Sequence, residues 1–423
     1  MRGWLTSLSL VERRALVGAI VLGWAVRLIY IASTRGHQLV GDEPAYHASA
    51  VLQTQGRWFW STVPYGVPHE SFQKTPVYQV FAGLVYEVLG TNPDRLFAVQ
   101  AVLLSPLVVV LAFVLARRLF GPAAAVATAL VVAVHPNVWQ FEVRMYSESL
   151  AIPMTVGMLV LALTCRPTRK VVVGAGLLLG LLLLTRPSSL FVVPALLLAW
   201  WATDGARGGI VRTAAVCAIA VLCVVPWTLR NHSVDDSHWV PLSVQDAAAY
   251  GTFNDDAAND PNYPYKWRPF VSRDRDVLLG EPRRLSDGEF RAELSSRARE
   301  WAKDHPGGVA KAFWHNGIVR LWDVDPPSQS LDDAAFEGRT RAVTGIGLGL
   351  YWLLLLPAAL GLRRLWQTGR RGVVLALAAS ALAASVVYTA DAGTRYRAPL
   401  EPVLVALAAG GVLGARGLGR LER

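Results

Sequence analysis

Apolar stretches recur along this chain at about 15–33, 96–116, 123–134, 149–163, 171–184, 190–201, 210–227, 343–362, 373–388 and 399–413. Crossing the hydrocarbon of a bilayer takes a helix of roughly 20 predominantly apolar residues, and so many apolar stretches are more than a soluble core would bury. Hydrophobic residues make up 53% and charged residues only 17% of the 423 positions, in keeping with that reading. Arg117-Arg118, then Arg166, Arg169 and Lys170, then Arg207 and Arg212, then Arg363, Arg364, Arg370 and Arg371 fall at alternate ends of the stretches. Cytoplasmic loops carry such an excess of Lys and Arg. Together with Arg416, Arg420 and Arg423 at the tail, they predict an all-α polytopic protein of the cell membrane. It has about ten transmembrane helices and both termini cytoplasmic. The short basic stretch to Arg14 leads into the first span without an A-x-A cleavage site, so that span is read as an uncleaved helix.

The net charge of +10 is therefore assigned to inner loops and not to nucleic-acid binding, for which no aromatic-basic ribbon is present. Cys165, Cys217 and Cys223 lie in or beside apolar spans with no C-x-x-C spacing, so neither a disulfide framework nor a thiolate metal site is implied. The chain divides into an N-terminal transmembrane module, 1–229, which includes a first outer loop at 34–95; an extracytoplasmic cap, 230–341; and C-terminal transmembrane helices, 342–423. Trp58, Phe59 and Trp60 in the first loop suit short interfacial helices. In the cap, a stretch rich in Asp, Pro and Asn up to about Pro282 gives way to helix-like patterns at 287–301 and 308–322.

Against this background a few charges break the pattern. Gly41-Asp42-Glu43-Pro44-Ala45-Tyr46 places two adjacent carboxylates where the chain leaves the first span. Lys74, Arg186, Arg230, Arg395 and Arg397 map to the same outer side, where positive residues should be scarce. A phosphate held near the outer leaflet would require such a gathering; for any one arginine, snorkelling to headgroups is the alternative. Asp42 has a structural alternative as well, since an acid shortly before proline often caps a helix. His37, His47, His69, His232 and His238 share the outer side, but none has an i, i+4 partner that would specify a metal.

Several further passages recur in a known order. They are Lys74-Thr75-Pro76-Val77-Tyr78, His135-Pro136 with Tyr146-Ser147-Glu148, Thr185-Arg186-Pro187, Pro226-Trp227-Thr228-Leu229-Arg230-Asn231, and Arg395-Tyr396-Arg397-Ala398-Pro399-Leu400-Glu401-Pro402. With Gly41-Asp42-Glu43 and Tyr46 at their head, these passages resemble the signatures of the type C glycosyltransferases. The branch they are most similar to contains the protein O-mannosyltransferases and aminoarabinose transferases, and the likeness extends over nearly the whole chain. The resemblance implies an inverting hexosyl or pentosyl transferase that takes a sugar from a polyprenyl-phosphate donor on the extracytoplasmic face. The acceptor would be a hydroxyl of a glycan, lipid or protein, and membrane lipids would surround the enzyme. Asp42 would be the general base and Glu43 would orient the acceptor or a base partner. Lys74, Arg230, Arg395 and Arg397 would bind the donor phosphate, and Tyr46, Tyr78 and Tyr396 would contact the sugar. No cofactor is specified. A divalent metal is compatible with the family, but Gln73 and Thr75 stand where aminoarabinose transferases carry Glu and Pro around the lysine, which weakens a metal site there. A transporter or flippase of a lipid-linked anionic precursor would also want outer arginines, yet it would be expected to show internal repeats and ionisable groups within the membrane. A non-catalytic scaffold would have no need of an acid pair beside a basic cluster.

Overall fold

The computed structural model of the chain describes residues 8–63, 66–243, 249–268 and 285–414. Arg416, Arg420 and Arg423, on which the inner placement of the tail rests, lie outside the described residues, as does much of the stretch that ends near Pro282.

Helix α1 (Leu10–Ser33) starts on a capping box. The Ser9 hydroxyl accepts from the Glu12 N–H while the Glu12 carboxylate accepts from the Ser9 N–H at 2.8 Å. The first loop then forms α2 (Glu43–Thr54), strands β1 (Trp60–Ser61) and β2 (His69–Glu70), and α3 (Pro76–Leu89). Trp60 is not helical as the aromatic triplet suggested; it pairs antiparallel with Glu70. The cause is tertiary: Phe59 leaves the strand at φ 60° to pack edge-on against Trp227, 4.9 Å away.

Next come α4 (Pro93–Phe120), α5 (Pro122–Val134), and α6 (Pro136–Trp139) with a 3-10 turn at Gln140–Val143. Helices α7 (Glu148–Thr164) and α8 (Arg169–Leu183), a 3-10 turn at Pro187–Val192, and α9 (Val193–Val234) follow. The expected spans at 190–201 and 210–227 are two helical arms joined at Gly205, φ 76°, where the backbone leaves helical geometry and the chain folds back. A Cβ on Gly209 would come 2.7 Å from the Trp201 nitrogen, so the two arms of α9 pack backbone to backbone. The stretch expected to form a cap contributes α10 (Asp255–Ala258), α11 (Asp287–Asp304), α12 (Pro306–Ala312) running into a π-helical stretch at Phe313–Arg320, and α13 (Pro327–Phe336). The chain closes with α14 (Arg341–Gln367), α15 (Arg371–Val387), α16 (Thr394–Arg397), a 3-10 turn at Ala398–Leu400, and α17 (Glu401–Leu413).

Among the described residues, five helical stretches are long and apolar enough to cross a membrane, or six if α5 and the Pro136–Val143 segment, bent by 61°, count as one. Helices α3, α7 and α15 are apolar but shorter, so the expected count of about ten is met only in part. The chain is a multi-pass membrane protein. Its middle is α4, α7 and α17, of which α4 buries half of its residues and α7 and α17 most of theirs. Around them α1, α8, α9, α14 and α15 turn Ile29, Leu177, Leu222, Leu353 and Leu382 outward, as a lipid-facing ring does. Helices α14 and α17 meet through glycine: a Cβ on Gly411 would lie 1.9 Å from the Pro357 carbonyl oxygen. At one end of the bundle, Arg27 of α1 is wholly buried and bonds Glu142 at 2.6 Å and the Ala133 carbonyl at 2.8 Å, tying α1 to the α5–α6 turn.

Candidate active site

One end of the bundle gathers residues from five segments around Asp42. Gly41 sets the entry: its φ is +63°, and a Cβ there would meet the Tyr146 hydroxyl at 2.9 Å. Only glycine meets both demands. Gly41→Ala is therefore expected to keep the bundle folded while displacing the following carboxylate. Because about 1 Å of misplacement costs on the order of 10²-fold in rate, turnover should fall by roughly that much, with a single cooperative melting transition, lowered only by the local strain, as the control.

Asp42 stands at the N-cap position of α2, yet its side chain makes no capping bond. The carboxylate instead divides its oxygens between two cations, with Lys74 Nζ at 3.0 Å from Oδ1 and Arg395 Nη2 at 2.8 Å from Oδ2. It keeps 33% of its surface open. Burial by itself would raise this carboxyl, but Lys74 and Arg395 outweigh it and hold Asp42 well below the usual carboxylate range.

Lys74 is carried to this point by a seam between loops: the Thr75 hydroxyl donates to the Thr185 carbonyl at 2.8 Å and the Val77 N–H to the Leu184 carbonyl at 3.1 Å. The same seam brings Arg186. Its Nη1 lies 2.5 Å from Glu148, the first residue of α7, and that buried carboxylate also takes the Nε of Arg395. The Arg395 guanidinium lies 4.2 Å from the Tyr146 ring centre, and Arg186 lies 4.9 Å from that of Tyr396. Three cations thus face the two carboxylates in direct contact with them, so these five contacting side chains carry one net positive charge. Such a site can bind a singly charged anion and has a partly open carboxylate beside it.

Of the residues singled out in the sequence, Asp42, Lys74 and Arg395 come together, and Tyr46 lies under Lys74 at 5.2 Å from its ring centre. Tyr396 is half-buried at the edge of the group and donates its hydroxyl to Asp391. Others are placed apart. Glu43 is fully buried; it accepts the Val40 N–H and the Met145 N–H, both at 3.2 Å, and its Oε2 lies 2.7 Å from His37 Nε2. It therefore pins two loops and presents nothing to the cleft. Tyr78 is fully buried behind Tyr46 and donates to Gln100 at 2.8 Å. Arg230 donates to the Ser71 carbonyl at 2.7 Å and to Glu70 at 2.9 Å, bracing the loop that leads to Lys74. Asp287 of α11 holds the same loop through the Phe72 N–H at 3.1 Å and the Gln73 amide at 3.2 Å. Arg397 is buried between Asp323 at 2.6 Å and Glu401 at 3.0 Å, with its guanidinium 3.6 Å from the Tyr351 ring centre.

Three residues of the site had been given no role. Arg186 stood among the outer cations and in the Thr185-Arg186-Pro187 passage, without a role of its own. Glu148 carried a usable signal, as an acid opening an otherwise apolar helix, because a charge taken out of water requires a partner. Asp391 carried none. Burial pushes its carboxyl up to about 7, with Asp333 and Glu337 adding to the rise and the Tyr396 bond and Arg395 opposing it. A divalent cation does not fit beside Lys74. The one carboxylate there, Asp42, has both oxygens facing cations, and Gln73 and Thr75 bring no charge, donating an amide N–H to Asp287 and a hydroxyl to the Thr185 carbonyl. Among the described residues, no three His, Cys, Asp or Glu side chains gather as a metal would need.

The family model described as dolichyl-phosphate-mannose-protein mannosyltransferase matches residues 73–229, which is less than half of the chain. Two solved structures of the archaeal oligosaccharyltransferase AglB from Archaeoglobus fulgidus are similar. One, in complex with an inhibitory peptide and a dolichol-phosphate, is 16% identical with a TM-score of 0.55, covering 95% of this chain and 50% of that one. The other, tethered to an acceptor peptide, is 13% identical with a TM-score of 0.52, covering 95% and 49%. ArnT from Cupriavidus metallidurans bound to undecaprenyl phosphate is 15% identical with a TM-score of 0.42, covering 94% and 78%. This chain spans about half the length of the archaeal structures it matches. No curated protein matches it. The chain has the type C glycosyltransferase fold.

Proposed function

We propose that this protein is a membrane glycosyltransferase that moves a sugar from a polyprenyl-phosphate donor to a hydroxyl of a glycan, lipid or protein acceptor, inverting the anomeric centre. The observation that carries this reading is the Asp42 carboxylate shared between Lys74 and Arg395, in a group with one net positive charge. A polyprenyl-phosphate sugar is a phosphodiester with a single negative charge, which that group matches. The phosphate competes with Asp42 for Lys74 and Arg395. Once it takes them, Asp42 regains basicity, because the cations that depressed its carboxyl are engaged elsewhere.

Asp42 then accepts the proton of the acceptor hydroxyl as that oxygen bonds to the anomeric carbon. The bond from the anomeric carbon to the phosphate oxygen breaks, and its electron pair stays on the phosphate. The leaving polyprenyl phosphate carries a second negative charge. With Asp42 neutral, the site has gained one unit of positive charge at the moment the leaving group gains one of negative, which is the electrostatic matching that lowers a transition state. Attack from the side opposite the phosphate gives inversion. Lys74, Arg186 and Arg395 form the phosphate clamp. Arg230 acts by holding the Lys74 loop and Arg397 by holding the α16 turn, while Tyr396 lines the sugar and the buried Tyr46 supports Lys74 from beneath. The arginine asymmetry of the loops supports an extracytoplasmic site with both termini cytoplasmic.

The test is a transfer assay with purified protein in lipid, a panel of radiolabelled polyprenyl-phosphate sugars, and a crude envelope extract as acceptor. Label is expected to move from one donor into an acceptor. Donor that binds but never yields a new glycosidic product under any condition would sink the reading.

A further inference from the structure

Arg186 and Arg395 are 209 positions apart in sequence, come from different turns, and are joined by one side chain. The Glu148 carboxylate lies 2.5 Å from Nη1 of Arg186, bonds the Nε of Arg395, and lies 3.4 Å from the Nη2 of Arg395. It is fully buried. We infer that Glu148 is the positioning residue that sets the two guanidinium groups at the separation the departing phosphate needs, and so governs the rate of transfer more than the affinity for donor. This rests on the reading of the site as a glycosyl-transfer centre.

A purely architectural carboxylate would consume the donors of its partners, and this one does not. Among the described residues, Arg395 spends Nε and Nη2 on Glu148 and Asp42, which leaves Nη1. Arg186 spends Nη1 on Glu148 and Nε on the Tyr388 hydroxyl at 3.4 Å, which leaves Nη2. Both guanidinium groups also lie against one ring, that of Tyr396, at 4.9 and 5.7 Å from its centre. A shared carboxylate and a shared ring therefore hold two like charges that would otherwise repel each other apart. Fixed donors of this kind assist where charge develops, because no reorganisation is needed as it forms.

Neutralising Glu148 has separable effects on binding and on rate. The site gains a net positive charge, so an anion binds as well or better. The arginines are no longer held at their spacing, and Arg395, released from Glu148, can close more fully on Asp42 and suppress the base. A rate loss without an affinity loss is the signature, and simple damage to the pocket would instead raise KM.

The experiment uses the full chain in lipid nanodiscs, with steady-state transfer and equilibrium binding of undecaprenyl phosphate measured for wild type, Glu148→Gln and Glu148→Asp. Glu148→Gln is expected to lower kcat about 10²-fold while the Kd for undecaprenyl phosphate stays within about threefold or tightens. Glu148→Asp keeps the charge but draws it back by one methylene, and should fall between the two in kcat with wild-type Kd. Wild-type kcat in Glu148→Gln overturns the inference, as does an unchanged kcat with weakened binding. Should Glu148→Gln not fold, Glu148→Asp decides alone: a lowered kcat at wild-type Kd supports the positioning role, and wild-type kcat refutes it. If the wild type itself transfers no label, the glycosyl-transfer reading falls and this inference falls with it, an outcome distinct from a failure confined to the Glu148 variants.

Discussion

Asp42→Asn should abolish transfer, lowering turnover by at least about 10³-fold, within the range a general base contributes, while binding polyprenyl phosphate at least as tightly as wild type. Asparagine has the shape of aspartate and can still accept a hydrogen bond from Lys74 or Arg395 through its one carbonyl oxygen. It cannot take up a proton, and it no longer competes with the donor phosphate for those cations. Loss of rate with preserved or improved affinity is the result that separates a base from a phosphate ligand. A companion effect is expected in the pH profile of the wild type. In the donor-free protein the cations hold the Asp42 carboxyl well below the usual range, so it stays ionised far into acid. In the donor complex they are engaged by phosphate, and the carboxyl rises. The acid limb of kcat should therefore lie at higher pH than that of kcat/KM, which reports the free enzyme. A folded Asp42→Asn protein with wild-type turnover would remove the base assignment.

Arg397→Ala should instead act on stability, by about 3–5 kcal/mol, the cost of removing one partner from a buried ion pair. Asp323 and Glu401 are both buried against this guanidinium, which also donates to the Leu321 carbonyl at 2.9 Å. Deleting it leaves two carboxylates buried without their cation and opens the α16 turn on which Arg395 sits. A large fall in melting temperature is the expected outcome, with near-normal affinity for undecaprenyl phosphate in whatever fraction remains folded. A stable Arg397→Ala protein that binds the lipid phosphate poorly would return Arg397 to the phosphate site. The contrast with Arg395, two positions earlier, makes the pair a useful internal control.

Part of the architecture was legible in order along the chain, because a bilayer imposes a length on each span. Helix α14 covers the expected 343–362, and α11 and α12 with its π-helical extension fall where the cap was expected to be helical. The short strands β1 and β2 were not legible, since they depend on Phe59 finding Trp227 and on Arg230 holding Ser71 and Glu70. Neither was the joining of Glu148, Arg186 and Arg395, which required α7, the turn after α8 and α16 to converge.

What the sequence determined by itself is the apolar spacing of the spans and the set of charges too costly to leave at one end of them without partners. What only the tertiary structure decided is which member of each close pair of charges meets the cleft. Successive residues at a helical turn project about 100° apart, so Asp42 and Glu43 cannot face the same way: Asp42 turns to Lys74 and Arg395, while Glu43 turns inward to the Val40 and Met145 amides. Arg395 and Arg397, about 200° apart on the α16 turn by the same geometry, part toward Asp42 and toward Asp323. The residue types are written in the chain, but the direction each side chain takes depends on the helix phase, and that phase is set by the packing of helices distant in sequence.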